Sequence, residues 1–277
     1  MPELPEVEVT RRGLLPMLTG RTVIAVSCSA HRLRRDIPRR LLKAHVQGQE
    51  IRTVDRRAKY LLIRMASGAV LLVHLGMTGK FSLLNKQVPR HRHDHLILGL
   101  ENDWEVRLND SRRFGSIDVW PEATATEQED RFSRGEGIEP LGEAFTPAIL
   151  HMLAKGRRIP VKSLLMHAKI IAGIGNIYAN ETLFAARIHP QRPANQVTLE
   201  EWQRIVAAGQ SILHQAIDAG GSSIADFLGA GGHPGYFQLQ FQVYGRKDQA
   251  CTCCGAPISK IAISGRATYL CPHCQAM

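Results

Sequence analysis

From Arg21 to about Trp120 the chain runs as short β-branched and leucine-rich segments, TVIAVS, YLLIRM, AVLLVHLGM, HLILGL and WEVRLND, broken by Gly, Asn and Asp. Segments of this length and composition predict strands, enough of them to pack as two sheets. Ahead of them, Val7, Leu14, Leu15 and Leu18 share one face of a helix that Pro5 suits at its first turn and Gly20 stops. Such a helix holds the first few residues against the sheets. Between about Trp120 and Phe145 the apolar period fades into PEATATEQEDRFSRGEGIEPLGEAF, and the domain boundary is placed there. Beyond it the pattern is helical. Thr146 with Pro147 opens one helix, VKSLLMH forms a second, NIYANETLFAAR a third, and Thr198 with Glu201 makes a capping box before a long fourth. The order predicts an α+β chain: a strand-rich domain with its leading helix over 1–132, a linker over 133–145, a helical domain over 146–240 and a Cys-rich module over 241–277.

That module carries the sharpest chemical signal. Cys251 and Cys254, then Cys271 and Cys274, form two C-x-x-C pairs with 16 residues between them. Each pair offers two thiolates from one tight knuckle, and two knuckles complete a tetrahedral site for one structural Zn2+. Disulfides or a redox C-x-x-C are the competing readings, and the double spacing argues against both. Cys253 and His273 sit between ligands and compete for places, with four sulfurs the simpler account. Between the knuckles PISKIAISGRATYL alternates like a hairpin whose turn is Ser264-Gly265, so the metal holds Arg266 just beyond that turn.

Composition narrows the classes. A chain of 277 residues, 44% hydrophobic, buries ample core as one large domain or two smaller ones. Lys and Arg (35) exceed Asp and Glu (25), giving a formal charge of +10. A polyanionic partner is one reading of that charge, and a merely basic soluble protein is the other. MPELPEVEVT lacks the basic flank and apolar core of a leader, and no apolar run is long enough to span a bilayer. With five of six cysteines in the metal-like cluster and Cys28 alone, the expectation is a cytosolic protein rather than a disulfide framework.

The first residues also carry two readings. Removal of the initiator Met exposes Pro2 as a secondary amine, and an α-amino group titrates near pH 8, so a useful fraction is neutral and nucleophilic at pH 7. Attack on an aldehyde-level sugar carbon gives an iminium with no proton to lose from nitrogen, an electron sink that acidifies the C2′ hydrogen. Glu3 and Glu6 lie close enough in sequence to donate and accept protons around the same carbon. Equally, PELPEVE is ordinary helix-entry chemistry, with prolines and acids favoured in a first turn.

The start MPELPEVE, the segments HLGMTG and RRFG, GIGNIYANE and the four-Cys finger, in this order from end to end, resemble bacterial formamidopyrimidine-DNA glycosylase. The resemblance implies an N-terminal β-sandwich joined to a helix-two-turn-helix domain with a zinc finger. It also implies a monomer acting on double-stranded DNA that contains oxidised purines or abasic sites, in the cytoplasm at the bacterial nucleoid and not at a membrane. By position it makes Pro2 the Schiff-base nucleophile, Glu3 the proton donor, Lys59 the acid of β-elimination and Arg266 the acid of δ-elimination. Taken alone, Lys59 reads as a solvated edge-strand lysine and Arg266 as a surface arginine.

The same resemblance places DNA contacts at His93, Arg112, Arg157 and Asn176, and adds Glu6 to the base and DNA contacts. Gly173 and Gly175 let the backbone amides near Asn176 approach an anion. Met77, Arg112 and Phe114 match the trio that fills the hole left by a flipped nucleotide. Ser222 and Ser223 belong to AGGSSIADFLGAGGHPGYFQ, which resembles the loop that closes over the extruded base. His91, His93 and His95 share a strand face, but no further metal ligand is evident beside them. Departures from the pattern are Ser111 where proline is common, which puts the stiffness of the Arg112 loop in doubt, together with Val9 and the additional thiol of Cys253. Two rivals remain: the sister enzyme of endonuclease VIII type, which prefers oxidised pyrimidines, and a non-catalytic DNA-binding protein with a zinc ribbon.

Overall fold

The computed structural model describes residues 2–221 and 241–277, and the chain forms two compact units, the first running to Arg134 and taking in the segment from Ala219 to Gly221, the second made of Gly135–Asp218 and residues 241–277. In the first unit, helix α1 (Leu4–Leu18) is followed by β1 (Val23–Cys28), α2 (Arg39–His45), β2 (Ile51–Arg57), β3 (Tyr60–Met65), β4 (Val70–His74), β5 (Lys80–Asn85), β6 (Asp94–Leu100), β7 (Trp104–Asn109), β8 (Ser116–Trp120) and α3 (Ala125–Gly135). The strands make two antiparallel four-stranded sheets, ordered β1-β6-β7-β5 and β2-β3-β4-β8. One core lies between them. Val54, Leu61, Ile63, Leu71 and Val73 of one sheet meet Phe81, Leu96, Leu98, Val106 and Leu108 of the other, and Val7, Leu14 and Leu18 of α1 join the same cluster. Leu15, expected on that face, is only partly buried against it. Strand β4 is apolar on both faces because Leu71 and Val73 enter this core while Val70 and Leu72 enter a second one with Leu62, Trp120 and Phe132.

That second core belongs to α3, which occupies the stretch where the apolar period fades. Only Ala125 is buried along it, so its sequence shows no stripe. It is fastened instead by the Phe132 ring, 4.9 Å from Tyr60 and 5.5 Å from Trp120, and by Glu129, whose two oxygens accept from the Arg64 guanidinium at 2.7 and 2.8 Å.

The second unit contains α4 (Pro147–Ala154), α5 (Val161–Leu165), α6 (Asn176–Ala185), a single 3-10 turn at Ala194–Gln196, α7 (Leu199–Asp218) and the hairpin β9 (Ser259–Ile263) and β10 (Arg266–Leu270). The caps fall where expected. Thr146 Oγ1 accepts from Ile149 N–H, and Thr198 and Glu201 exchange side-chain and backbone bonds at 2.9 and 3.2 Å. Helix α6 buries Ile177 through Phe184 continuously, since α7 packs on one side and the hairpin on another. No helix among the described residues is long and apolar enough to cross a membrane.

Candidate active site

The start of α1 gathers the first group. Pro2 is buried, and Glu3 and Glu6 beside it are 2% and 1% exposed. Glu3 N–H donates to Glu6 Oε2 at 2.8 Å, which turns the Glu6 side chain back toward the chain's beginning. Gly221, at the end of the described stretch, comes so close that a Cβ there would lie 3.4 Å from Glu6 Cγ. Ser222 and Ser223, the expected base-closing residues, lie outside the described residues, but the chain that leads to them passes against Glu6.

Lys59 is not on an edge strand. It stands in the two-residue turn of the β2–β3 hairpin, where Arg57 pairs with Tyr60 and Ala58 adopts a left-handed φ of 55°. Arg56 ties that turn to α1: its Nη1 donates to the Ala58 carbonyl at 3.0 Å and its Nε to Glu8 at 3.2 Å. Burial alone raises the Glu8 carboxyl, but hydrogen bonds from Arg11 and Arg12 and the charge of Arg56 outweigh it and hold Glu8 below its ordinary range. Glu8 and Arg56 were missed in the sequence because their meeting joins positions 48 residues apart.

His74, at the end of β4, was also missed. Its ring lies 4.7 Å from Tyr60, and its Nδ1 accepts from Gly76 N–H at 3.0 Å. Burial is the largest influence on it, and the charges of Lys59 and Arg34 act in the same direction against Asp110, so the imidazole is pushed down to about 4. His74 is therefore neutral at pH 7, with its proton on Nε2.

Met77, Arg112 and Phe114 come together at one edge of this unit. The Arg112 guanidinium sits 4.8 Å from the centre of the Phe114 ring, which is 44% exposed, and Met77 is half-buried. Fully buried Asp110 organises the loop: it accepts from the Thr78 hydroxyl at 2.6 Å and from Gly115 N–H at 2.8 Å, and Thr78 Oγ1 accepts from Arg112 N–H at 3.2 Å. Gly76 has φ +67, and a Cβ there would fall 2.3 Å from Gly115 N, so only glycine lets the two loops touch. The stiffness put in doubt by exposed Ser111 is thus supplied by Asp110. His93 is half-buried, and its Nε2 accepts from Arg92 Nε at 2.9 Å.

The second unit brings Asn176 and Arg266 into one neighbourhood. Asn176 opens α6, its Nδ2 donating to the Ala267 carbonyl at 3.0 Å; its Oδ1 is buried and has no hydrogen-bond partner among the described residues. Lys162, 1% exposed, donates to the same carbonyl at 3.0 Å and to Thr268 Oγ1 at 2.7 Å. These bonds clamp β10 one residue from Arg266, which stands exposed just after a Ser264-Gly265 turn whose φ values are 48° and 72°. Gly173, at φ +80, shapes the approach to Asn176. Exposed Arg157 follows α4, with Nε bonded to the Leu153 carbonyl at 2.8 Å.

The sulfurs of Cys251, Cys254, Cys271 and Cys274 all lie within 4.8 Å of one another, with Cys251–Cys274 at 3.9 Å and Cys254–Cys271 at 3.4 Å. Zinc bonds of about 2.3 Å set tetrahedral edges of about 3.8 Å, so the donor set fits one structural zinc. Cys253 is exposed and, like His273, is not among the four.

Comparison with known proteins follows the same division. The model of the formamidopyrimidine-DNA glycosylase N-terminal domain matches residues 1–117, that of the formamidopyrimidine-DNA glycosylase H2TH domain residues 137–227, and that of the zinc finger found in FPG and IleRS residues 248–276. The chain is 45% identical over 275 residues to formamidopyrimidine-DNA glycosylase of Halorhodospira halophila, covering 99% of this chain and 100% of that one. The Vibrio cholerae enzyme of the same name is 43% identical over the same length and the same coverage. Among solved structures, the complex of a Lactococcus lactis FPG mutant with Fapy-dG containing DNA superposes with a TM-score of 0.90 at 32% identity, covering both chains fully. The Lactococcus lactis Fpg complex with abasic-site DNA gives 0.89 at 32%, covering 99% of this chain and 100% of that one. By motif, by fold and by relatedness along its length, the chain is a DNA-repair glycosylase and belongs to the formamidopyrimidine-DNA glycosylase family.

Proposed function

We propose that the protein is a bifunctional glycosylase and abasic-site lyase that takes oxidised purines, 8-oxoguanine and formamidopyrimidines, out of double-stranded DNA. The observation that carries this reading is the pair of buried carboxylates, Glu3 and Glu6, that follow buried Pro2 at the start of α1, with Glu6 against the chain that leads into the expected base-closing loop. After removal of the initiator Met, the Pro2 amine attacks C1′ of the extruded nucleotide. The C1′–N bond forms as the glycosidic bond breaks, and the base leaves with a proton for which Glu3 is the assigned donor. The sugar ring opens to an iminium. Loss of the C2′ proton expels the 3′-phosphate with Lys59 as acid, a second elimination expels the 5′-phosphate with Arg266 as acid, and hydrolysis of the remaining iminium frees Pro2. Met77 and Phe114 wedge into the gap and Arg112 hydrogen-bonds the orphaned base, while His93, Arg157 and Asn176 hold phosphates. The named Lactococcus lactis complexes, with Fapy-dG and with abasic-site DNA, match the substrate and the intermediate of this scheme.

A second substrate reading has an observation of its own: a Lactococcus lactis FPG structure, similar to this chain at TM-score 0.89, contains oxidised pyrimidine DNA. Base release from duplexes carrying 8-oxoguanine, a formamidopyrimidine or thymine glycol decides between them. Faster release of the purines, with products bearing phosphate at both sides of a one-nucleotide gap, is the expected result. Release of thymine glycol alone overturns the purine assignment, and release without strand cleavage overturns the lyase.

A further inference from the structure

The two residues that flank Lys59 are each tied to a different helix. On one side the Ala58 carbonyl accepts from Arg56 Nη1, and Arg56 Nε reaches Glu8 Oε2 of α1. On the other, the Tyr60 ring packs edge-to-face against Phe132 of α3 and lies beside His74. Arg64 of β3 strengthens the α3 tie, because its guanidinium holds both Glu129 of α3 and Asp55 of β2.

The turn itself is not a comfortable one. Two-residue hairpin turns favour glycine or asparagine where φ is positive, yet buried Ala58 holds φ 55°, which costs a residue with a side chain energy. Its own sequence does not favour that shape, and the Arg56 bond to its carbonyl supplies the restraint.

The strap behind that bond is stiff. Arg56 and Glu8 are 11% and 12% exposed, and both Glu8 oxygens are committed: Oε1 accepts from Arg11 and Arg12, Oε2 from Arg11 and Arg56. Burial opposes the Glu8 charge, but the Arg11 and Arg12 bonds and the Arg56 charge hold the carboxyl below its ordinary range, so it is ionised at neutral pH. Glu8 also follows Glu3, the cap of α1, by five residues, about 7.5 Å along a rigid helix. One carboxylate thus links the helix that carries Pro2 at its start to the turn that carries Lys59.

We propose that Glu8 and Arg56 are positioning residues for strand cleavage: by fixing the Ala58 carbonyl against α1 they set the place of Lys59, and so the fraction of base-release events that proceed to β-elimination. The proposal rests on the roles given to Pro2 and Lys59 above. Misplacing a reacting group by about 1 Å costs up to about a hundredfold, so loss of the strap is felt in the step that needs Lys59 and not in the attack by Pro2.

A duplex with a preformed abasic site isolates the lyase steps. Arg56→Gln is expected to slow strand scission about tenfold, while the rate of borohydride trapping stays within about twofold of wild type. In a Lys59→Ala background the same substitution is expected to add no further loss of scission, since the strap acts through that lysine. Glu8→Gln, which removes the charge and keeps an acceptor, is expected to give the same split with a smaller loss, and is the variant read if Arg56→Gln melts early. Trapping and scission falling together, losses that multiply in the Lys59→Ala background, or unchanged scission overturns the proposal. A wild type that neither traps nor cleaves sinks the Pro2 reading itself, a failure distinct from this one.

Discussion

At the scale of single residues, the first unit's chemistry depends on groups whose charge is set by their surroundings. His74 is the clearest. Its folded value of about 4 lies below the ordinary 6.5, so between those values the unfolded chain binds the proton and the folded chain does not. Its contribution to stability is fully present above about pH 6.5 and is lost as pH falls through the interval to about 4, a change of about 3 kcal/mol at most. An NMR titration is expected to find the His74 ring neutral down to about pH 5, and His74→Gln is expected to flatten the stability curve over that range. A His74 midpoint near 6.5 contradicts the described packing of Tyr60, Lys59 and Arg34 around it. Residues of this kind were not legible in the sequence. HLGMTG marks the segment, but His74 acquires its environment from a strand end, a hairpin turn and a distant loop. Pro2, Glu3, Lys59 and Arg266 were singled out by motif, although Lys59 proved to occupy a turn rather than a strand edge.

Among the elements, those with a clean period or a fixed spacing were readable and those held by long-range polar contacts were not. Helices α4 and α7 announce themselves through Thr146, Pro147, Thr198 and Glu201, α5 and α6 through the runs VKSLLMH and NIYANETLFAAR, and the finger through its cysteine spacing. Strand β2 was passed over because IRTVDRR alternates imperfectly, and its pairing with β3 shifts register between Ile51 and Thr53. Helix α3 has one buried residue and is held by the Arg64–Glu129 pair and Phe132, none of which leaves a local signature. The finger is small. Phe184 of α6 packs with Val243, Ile258, Cys251 and Cys271, so metal and core are one structure. Chelation of zinc is expected to release the β9–β10 hairpin and, with it, the bonds that Asn176 and Lys162 make near Arg266. Amide hydrogen exchange then shows protection lost across residues 248–276 while the β-sandwich stays protected. Retention of the hairpin in chelator contradicts a structural role for the metal.

For the molecule as a whole, two units divide the proposed labour: one carries the terminal amine, the paired carboxylates and the wedge, the other the phosphate-binding helix start and the finger arginine. Family membership follows from sequence and fold together, whereas the chemistry rests on Pro2 becoming a free secondary amine. An amide nitrogen cannot form the iminium, so the claim is sharp. Borohydride reduction during reaction with a duplex containing 8-oxoguanine tests it most directly. The account predicts a covalent protein–DNA adduct whose sugar is attached at residue 2 when the initiator Met is removed, and no adduct when it is retained. An adduct mapped to Lys59 or any other lysine, or undiminished trapping with Met1 in place, contradicts it.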